Sequence, residues 1–153
     1  MPMTIEEMTA PGSKVLTKPG GYLGPTRQTL RGTETVLLVE DDELMRNVTG
    51  LILEDLGYHL LEAQNGTRAS ELNRTYQGQI HLLVSDIFMP DGNGVTWSHL
   101  LTLERPTMST LFVSAYSREA LGKDGIPDPG PDFLQKPFLA EALARKIREI
   151  LDR

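Results

Sequence analysis

The chain has 153 residues, enough for one globular domain with a real core, and its 39% hydrophobic and 24% charged residues are ordinary for a globular protein. A formal net charge of -6 argues against direct binding to nucleic acid phosphates, and the absence of cysteine excludes disulfides, zinc–thiolate sites and thiol catalysis. No apolar run approaches the roughly 20 residues that a membrane helix needs, and the amino terminus lacks the apolar core of a signal peptide. We therefore expect a cytoplasmic protein without membrane insertion.

The amino-terminal part of the chain shows no sustained periodicity of either the helical or the strand kind. Residues 1–33 contain four prolines, at positions 2, 11, 19 and 25, together with several glycines. Such a composition is typical of a flexible tail or a linker, or of the end of an upstream domain. The sequence thus predicts a boundary after Thr33, with the folded domain covering residues 34–153.

From Glu34 onward, short apolar strands alternate with amphipathic helices. The predicted strands cover residues 35–39, 58–63, 80–86, 108–113 and 132–135. The predicted helices cover residues 45–56, 67–74, 95–104 and 139–151, and residues 117–121 begin a further helix before the Gly- and Pro-rich loop 122–131. Five repeats of strand and helix predict a parallel sheet covered on both faces, in a doubly wound α/β arrangement.

Polar side chains follow four of the five predicted strands at the point where each strand ends. They are Glu40 and Asp41 after the first strand, Asp86 at the end of the central one, Ser114 after the fourth and Lys136 after the fifth. Taken singly, each has an ordinary explanation as a helix start, a turn, a cap or a surface lysine. Because the carboxyl ends of parallel strands lie on one edge of the sheet, their convergence predicts a functional site there.

The residue types at this edge favour phosphoryl chemistry. Carboxylates crowded together raise one another's pKa unless a cation neutralises them. Oxygen ligands without nearby histidine or cysteine suit Mg²⁺, and Lys136 supplies a second positive charge. Phosphoryl transfer needs mainly positioning and charge neutralisation, and a carboxylate can itself be the nucleophile.

Four sequence blocks, in this order and spacing, resemble the signature of two-component response-regulator receiver domains over residues 34–153. The blocks are Val39-Glu40-Asp41-Asp42, Ser85-Asp86-Ile87-Phe88-Met89-Pro90, Val113-Ser114-Ala115 and Leu134-Gln135-Lys136-Pro137-Phe138. The resemblance implies a flavodoxin-like (βα)5 fold with a five-stranded parallel sheet. It also implies that the domain takes a phosphoryl group from a histidine kinase phosphohistidine and changes conformation to signal, without turning over an external substrate.

The resemblance assigns a role to each site residue. Asp86 is the phosphoacceptor, and Glu40 and Asp41 hold Mg²⁺ together with Asp86 and the main-chain carbonyl of Phe88. Lys136 and Ser114 contact the phosphoryl oxygens. By the same resemblance, Phe133 stands at an aromatic position that follows the hydroxyl residue inward, and the peptide bond before Pro137 is cis.

The resemblance also implies partners for the chain. These are a histidine kinase or a histidine phosphotransfer domain, and a homodimer or a downstream protein that binds through the last strand and helix. The run 31–42 resembles the start of receiver domains at the carboxyl end of hybrid sensor histidine kinases. We therefore expect the chain to be either a stand-alone receiver or a piece of a hybrid kinase.

Two features depart from the pattern of many receivers. Phe88 and Tyr116 are bulky where small or polar side chains are common, and we hypothesise that they restrict attack by water and lengthen the phosphoryl lifetime. The loop at 122–131 predicts a short or poorly ordered fourth helix.

Three alternative functions remain open at this stage. A Mg²⁺-dependent phosphohydrolase with an aspartyl nucleophile would need a second acid where Phe88 stands. A flavin-binding module would need a hydroxyl- and glycine-rich phosphate loop after Val39. A degenerate receiver that acts only as a scaffold is disfavoured by the complete set of acidic, hydroxyl and lysine residues.

Overall fold

The computed structural model describes residues 30–153, so the expectation of a flexible tail falls largely outside the described residues. The boundary at residue 34 stays a prediction. Leu30, which precedes it, is buried in a core cluster that includes Leu56 and Tyr58. The amide of Gly32 donates to the carbonyl of Leu56 at 3.0 Å, so the chain contacts the domain before the first strand begins.

The elements follow one another in the predicted order. The strands are β1 (Thr35–Val39), β2 (His59–Ala63), β3 (Leu82–Asp86), β4 (Phe88–Met89), β5 (Gly92–Asn93), β6 (Ser109–Ser114) and β7 (Phe133–Gln135). The helices are α1 (Glu43–Asp55), α2 (Gly66–Thr75), α3 (Gly94–Glu104), α4 (Arg118–Lys123) and α5 (Ala140–Leu151). The central strand begins at Leu82, two residues later than predicted, and β4 and β5 form a small antiparallel hairpin that the sequence did not predict.

The main sheet has five parallel strands in the order β2-β1-β3-β6-β7. This order reverses direction at β1, as in doubly wound folds, and it confirms the predicted flavodoxin-like architecture. Because all five strands run the same way, the residues that follow β1, β3, β6 and β7 lie on one edge of the sheet.

The sheet is buried on both faces, which explains why its central strands are apolar at nearly every position. In β1, Val36 and Leu38 belong to the cluster that packs under α1 and α5, whereas Leu37 and Val39 belong to the cluster under α2 and α3. Each buried side chain of this size contributes about 1.5–3 kcal/mol relative to exposure. This two-sided core holds the strand ends, and hence the site, in a fixed arrangement.

Within residues 30–153, four helices begin at a polar side chain that accepts a hydrogen bond from the first turn. The side chain of Asp42 accepts from the amide of Met45, that of Asn65 from Arg68, that of Asn93 from Thr96 and that of Ser117 from Ala120. Such a cap contributes about 1 kcal/mol to the helix. Helix α4 is only 6 residues long, which confirms the predicted short fourth helix. Among the described residues, no helix has both the length and the apolar character to cross a membrane.

Candidate functional site

Three carboxylates meet at the carboxyl edge of the sheet. Glu40 and Asp41 follow β1, and Asp86 ends β3; each offers an oxygen atom, and these atoms lie within 4.8 Å of one another. Glu40 is only 3% exposed, Asp86 is half-buried and Asp41 is exposed. The cluster is therefore open to solvent on one side and rests on buried structure on the other.

The ammonium group of Lys136, just after β7, lies between two of these carboxylates. Its Nζ is 2.7 Å from Glu40 Oε1 and 3.2 Å from Asp86 Oδ2. Burial, reinforced by the negative charge of Asp86, raises the pKa of Glu40, even though Lys136 acts in the opposite direction. For Lys136, burial would lower the pKa, but the hydrogen bond to Glu40 and the charge of Asp86 raise it. The lysine is thus held in its charged form.

The backbone around Glu40 is held by contacts on three sides. Its amide donates to the carbonyl of Ala63 at 3.1 Å, and its Oε2 accepts from the amide of Asp42 at 3.2 Å. The guanidinium of Arg46, on α1, donates to the Glu40 carbonyl at 2.8 Å and lies 3.6 Å from the carboxylate of Glu62. Sequence reasoning did not single out Arg46, whose helical position carries no signal for this contact.

Asp86 is held by its own loop. Its Oδ1 accepts from the amide of Ile87 at 2.8 Å, and its main-chain carbonyl accepts from the Ser85 hydroxyl at 2.8 Å. A Cβ atom on Gly94 would lie 2.2 Å from that same carbonyl, so only glycine allows the start of α3 to approach so closely. The second oxygen of the carboxylate, Oδ2, faces Lys136.

Ser114 lies on β6, one residue beyond the pairing of Asp86 with Val113, and is completely buried. Its hydroxyl accepts from the amide of Tyr116 at 3.1 Å, and its carbonyl accepts from the amide of Lys136 at 2.7 Å. The hydroxyl residue and the lysine are therefore linked through the main chain. The peptide bond between Lys136 and Pro137 is cis, as predicted.

Two aromatic contacts border the site. The rings of Phe88 and Tyr116 meet edge to face, with centroids 5.0 Å apart and an interplanar angle of 70°. Phe133 is half-buried, and the guanidinium of Arg118 lies 5.0 Å above its ring centroid. Both contacts join segments that are distant in sequence, so neither could be predicted from the local pattern.

The donor set of this cluster fits Mg²⁺. Its three carboxylates and one ammonium carry a net formal charge of −2, which a divalent cation would balance. The ligands are hard oxygens, and the exposed side of the cluster leaves room for the water molecules that Mg²⁺ retains. The residues that would hold the ion are Glu40, Asp41 and Asp86.

The chain matches a known protein family over most of its length. The sequence model of the response regulator receiver domain matches residues 36–148. The chain belongs to this family.

Individual relatives agree with this assignment. The chain is 33% identical over 153 residues to the sensor kinase CckA of Brucella abortus, which matches all of this chain over 16% of its own length. It is 32% identical over 116 residues to the response regulator receiver protein CpdR of the same organism, covering 76% of this chain and 95% of CpdR. A crystal structure of the receiver domain from the hybrid histidine kinase CckA superposes with a TM-score of 0.63 at 30% identity, covering 75% of this chain and 96% of that one.

Proposed function

We propose that the chain is a phosphoacceptor switch in a two-component phosphorelay, with Asp86 as the residue that takes the phosphoryl group from a phosphohistidine. The observation that carries this proposal is the cluster itself. Asp86 projects from the end of the central strand beside two further carboxylates and a charged lysine. In this family of regulators the acceptor reacts once for each donor, so we do not expect turnover of an external substrate.

The chemistry follows from the position of Asp86. One of its carboxylate oxygens attacks phosphorus, the bond between phosphorus and the donor imidazole nitrogen breaks, and that nitrogen leaves with the electron pair. The product is an acyl phosphate on Asp86. Mg²⁺, held by the carboxylates and the main-chain carbonyl of Phe88, would neutralise charge on the phosphoryl oxygens.

Lys136 and Ser114 then act on the phosphoryl group. Lys136 already contacts Asp86 Oδ2, so its ammonium can shift from Glu40 to a phosphoryl oxygen with little movement of its main chain. The Ser114 hydroxyl can donate to another oxygen while it keeps the bond from the Tyr116 amide, because it accepts that bond and its own hydrogen stays free. The new contact would favour a second conformation of β6 and its following loop.

The partner that delivers the phosphoryl group must bury the surface around Asp86. Leu44, Val48 and Leu51 form an exposed apolar stripe on α1, which begins directly after the acidic residues, and their exposures are 71%, 44% and 66%. Leu139, 77% exposed, follows Lys136 by three residues. These side chains support docking of a histidine kinase or a histidine phosphotransfer domain on α1. A homodimer or a downstream protein that binds through β7 and α5 stays a proposal.

The setting of the domain is a further part of the proposal. The chain spans 16% of the length of the sensor kinase CckA, and 95% of the length of CpdR. These relatives support both a receiver within a hybrid sensor histidine kinase and a separate receiver protein. In either setting we propose a cytoplasmic location, where the phosphohistidine donors of this family would be accessible.

Reaction with a small acyl phosphate tests the proposal. The chain is incubated with the donor and Mg²⁺, and the mass of the intact protein is measured for the parent, for Asp86→Ala and for the parent with a chelator. We expect one phosphoryl adduct in the parent and none in the other two samples. Steady release of phosphate from phosphate esters, with an adduct at Asp86 that does not accumulate, would instead support the aspartyl phosphohydrolase.

A further inference from the structure

The loop that follows Asp86 is a very small hairpin. In it, β4 and β5 pair through only two residues each, Phe88 with Asn93 and Met89 with Gly92. At its root, the amide of Gly94 donates to the carbonyl of Ile87 at 2.7 Å. A hairpin of this size is not stable by itself in water, so its tip needs support from elsewhere in the fold.

Asp91, at the tip, provides that support. Its Oδ1 accepts from the amide of Gly66 at 3.1 Å, and its Oδ2 accepts from the amide and the hydroxyl of Thr67 at 2.8 and 2.7 Å. Gly66 and Thr67 are the first residues of α2, whose amides have no partner within the helix and favour a negative charge. Although burial acts in the opposite direction, the hydrogen bonds from Thr67 and Gly66 lower the pKa of Asp91. The carboxylate is therefore ionised at neutral pH.

Trp97, on α3, contacts both the hairpin tip and the start of α2. Its Nε1 donates to the carbonyl of Asp91 at 3.2 Å. Its ring packs so closely on Gly66 that a Cβ atom there would lie 2.1 Å from a ring carbon. Asp91, Gly66, Thr67 and Trp97 together form a connection between the hairpin tip, α2 and α3, which we call the Asp91 latch.

We propose that Asp91 is a positioning residue for the metal site: by tying the hairpin tip to α2, the Asp91 latch holds the main chain of Phe88 in place and raises the affinity of the acidic cluster for Mg²⁺. This inference rests on the proposed function, in which the Phe88 carbonyl is one of the ligands. A carbonyl on a loop that must become ordered on binding contributes less affinity than one that is already held. Phe88 is three residues from Asp91 and is paired in the same hairpin.

Asp91 satisfies two amides at the start of α2, but it also joins the helix to the hairpin, which capping alone does not require. The helix has its own cap, because Asn65 Oδ1 accepts from the amide of Arg68 at 2.8 Å. The hydrogen bond of Asn65 lies within the start of α2, whereas the hydrogen bonds of Asp91 join α2 to the hairpin. Asn65→Ala weakens the start of α2 without removing a contact to the hairpin, so it is the matched control for Asp91→Ala.

Two measurements on the metal-free protein and its Mg²⁺ complex test the latch. Mg²⁺ affinity is measured by competition with Mn²⁺, whose free form is followed by electron paramagnetic resonance, and amide hydrogen exchange is measured over residues 87–94 without metal. For Asp91→Ala we expect roughly fivefold weaker Mg²⁺ binding, the effect of about one net hydrogen bond, and faster exchange over these residues. Asn65→Ala should lower the melting temperature but keep the parent's Mg²⁺ affinity.

Thr67 provides milder variants in case Asp91→Ala does not fold. Thr67→Val loses the hydroxyl donor and should weaken Mg²⁺ binding in the same direction, whereas Thr67→Ser keeps the donor and should bind as the parent does. Equal Mg²⁺ affinity in Thr67→Val, Thr67→Ser and the parent would overturn the latch.

Asp86→Ala separates the latch from the proposed function. If Asp86→Ala binds Mg²⁺ as well as the parent does, the metal site itself is wrong. If Asp86→Ala loses binding and folded Asp91→Ala keeps it, the latch alone is wrong.

Discussion

Lys136 is the side chain that balances the charge of the acidic cluster in this structure. Its ammonium contacts Glu40 and Asp86, and both carboxylates are largely shielded from solvent. Removal of the lysine charge leaves a buried glutamate without its cationic partner, which costs free energy. Under the proposed function, it also removes a cation that would compete with Mg²⁺ for the same oxygens. Stability without metal and affinity for metal should therefore change in opposite directions.

For Lys136→Met, which keeps much of the side-chain volume, we expect the free energy of unfolding at pH 7 to fall by about 1–3 kcal/mol without Mg²⁺. Mg²⁺ should restore part of this loss and should bind more tightly than to the parent, while phosphorylation of Asp86 is impaired. Urea denaturation with and without Mg²⁺ measures both effects. The same loss of stability at every Mg²⁺ concentration would contradict this account of the charge balance.

Phe88 and Tyr116 contact each other beside the site, as the edge-to-face geometry shows. If the pair restricts the approach of water to the acyl phosphate, the double variant Phe88→Asn, Tyr116→Glu should lose its phosphoryl group several-fold faster than the parent. Tyr116→Phe keeps the ring and should keep the lifetime. The decay of the intact-mass adduct measures the rate, and a double variant no faster than the parent would disprove the role of the pair.

Among the elements, α4 is connected to the loop that follows it by Arg118. Its guanidinium lies over Phe133 and donates to the carbonyl of Gly130 and to the carboxylate of Asp128, the latter at 3.3 Å. Arg118→Ala should therefore speed amide exchange over residues 124–131 and leave the central strands protected. Lys123→Ala, on the same helix, is the control and should leave the loop unchanged. Unchanged exchange of the loop in Arg118→Ala would show that the loop is held by its other contacts.

The first strand and the last helix are joined by an ion pair at the opposite edge of the sheet. Arg148 donates from two nitrogens to the two oxygens of Glu34, at 2.8 and 3.0 Å, and to the hydroxyl of Tyr58 at 3.1 Å. The hydrogen bonds from Arg148 lower the pKa of Glu34 from the ordinary 4.5. A depressed carboxyl pKa contributes stability above the unfolded-state pKa, and this contribution is lost as the pH falls through the folded-state value.

Glu34→Gln should accordingly reduce the free energy of unfolding by about 1–2 kcal/mol at pH 7, and its difference from the parent should shrink as the pH falls below the ordinary glutamate pKa. Glu71→Gln, which breaks an exposed pair with Arg68 on α2, should have little effect at either pH. Urea denaturation at neutral and acid pH measures both variants. A difference for Glu34→Gln that does not change with pH would mean that its charge is not the cause.

The elements could be predicted well because the signals for them are local. The apolar run at 35–39 and the acidic residues after it predict a buried strand followed by a helix start, and the structure shows β1 and the Asp42 cap there. The Gly- and Pro-rich stretch at 122–131 predicts a loop for the same reason. The meeting of the strand ends then follows from the parallel topology, without knowledge of any side-chain contact.

The contacts that hold the site could not be predicted, because they join segments far apart in sequence. Nothing in the run Pro90-Asp91-Gly92 indicates that Asp91 reaches Gly66 and Thr67, about 25 residues away. The contact of Arg46 with the Glu40 carbonyl depends on the rotation of α1 about its axis. Such contacts are set by how helices and loops pack on the sheet, which a single sequence does not specify.

In the molecule as a whole, the carboxyl and amino ends of the parallel strands carry different groups of charged side chains. The carboxyl edge gathers the acidic cluster, the lysine and the buried serine, whereas the opposite edge carries the ion pair of Glu34 with Arg148 that ties the chain's entry to α5. The apolar core on both faces holds these edges apart. The proposed phosphorylation at one edge would therefore change loops there without loss of the contacts that stabilise the other.

The most direct test of the account is to identify the atom that receives the phosphoryl group. The chain is treated with Mg²⁺ and a phosphoramidate, whose nitrogen–phosphorus bond is that of a phosphohistidine, and the modified residue is located by mass spectrometry after proteolysis. We expect one phosphoryl group on the peptide that contains Asp86, absent when Mg²⁺ is chelated and absent in Asp86→Asn. A phosphoryl group on another residue, or one that forms equally well in Asp86→Asn, would contradict it.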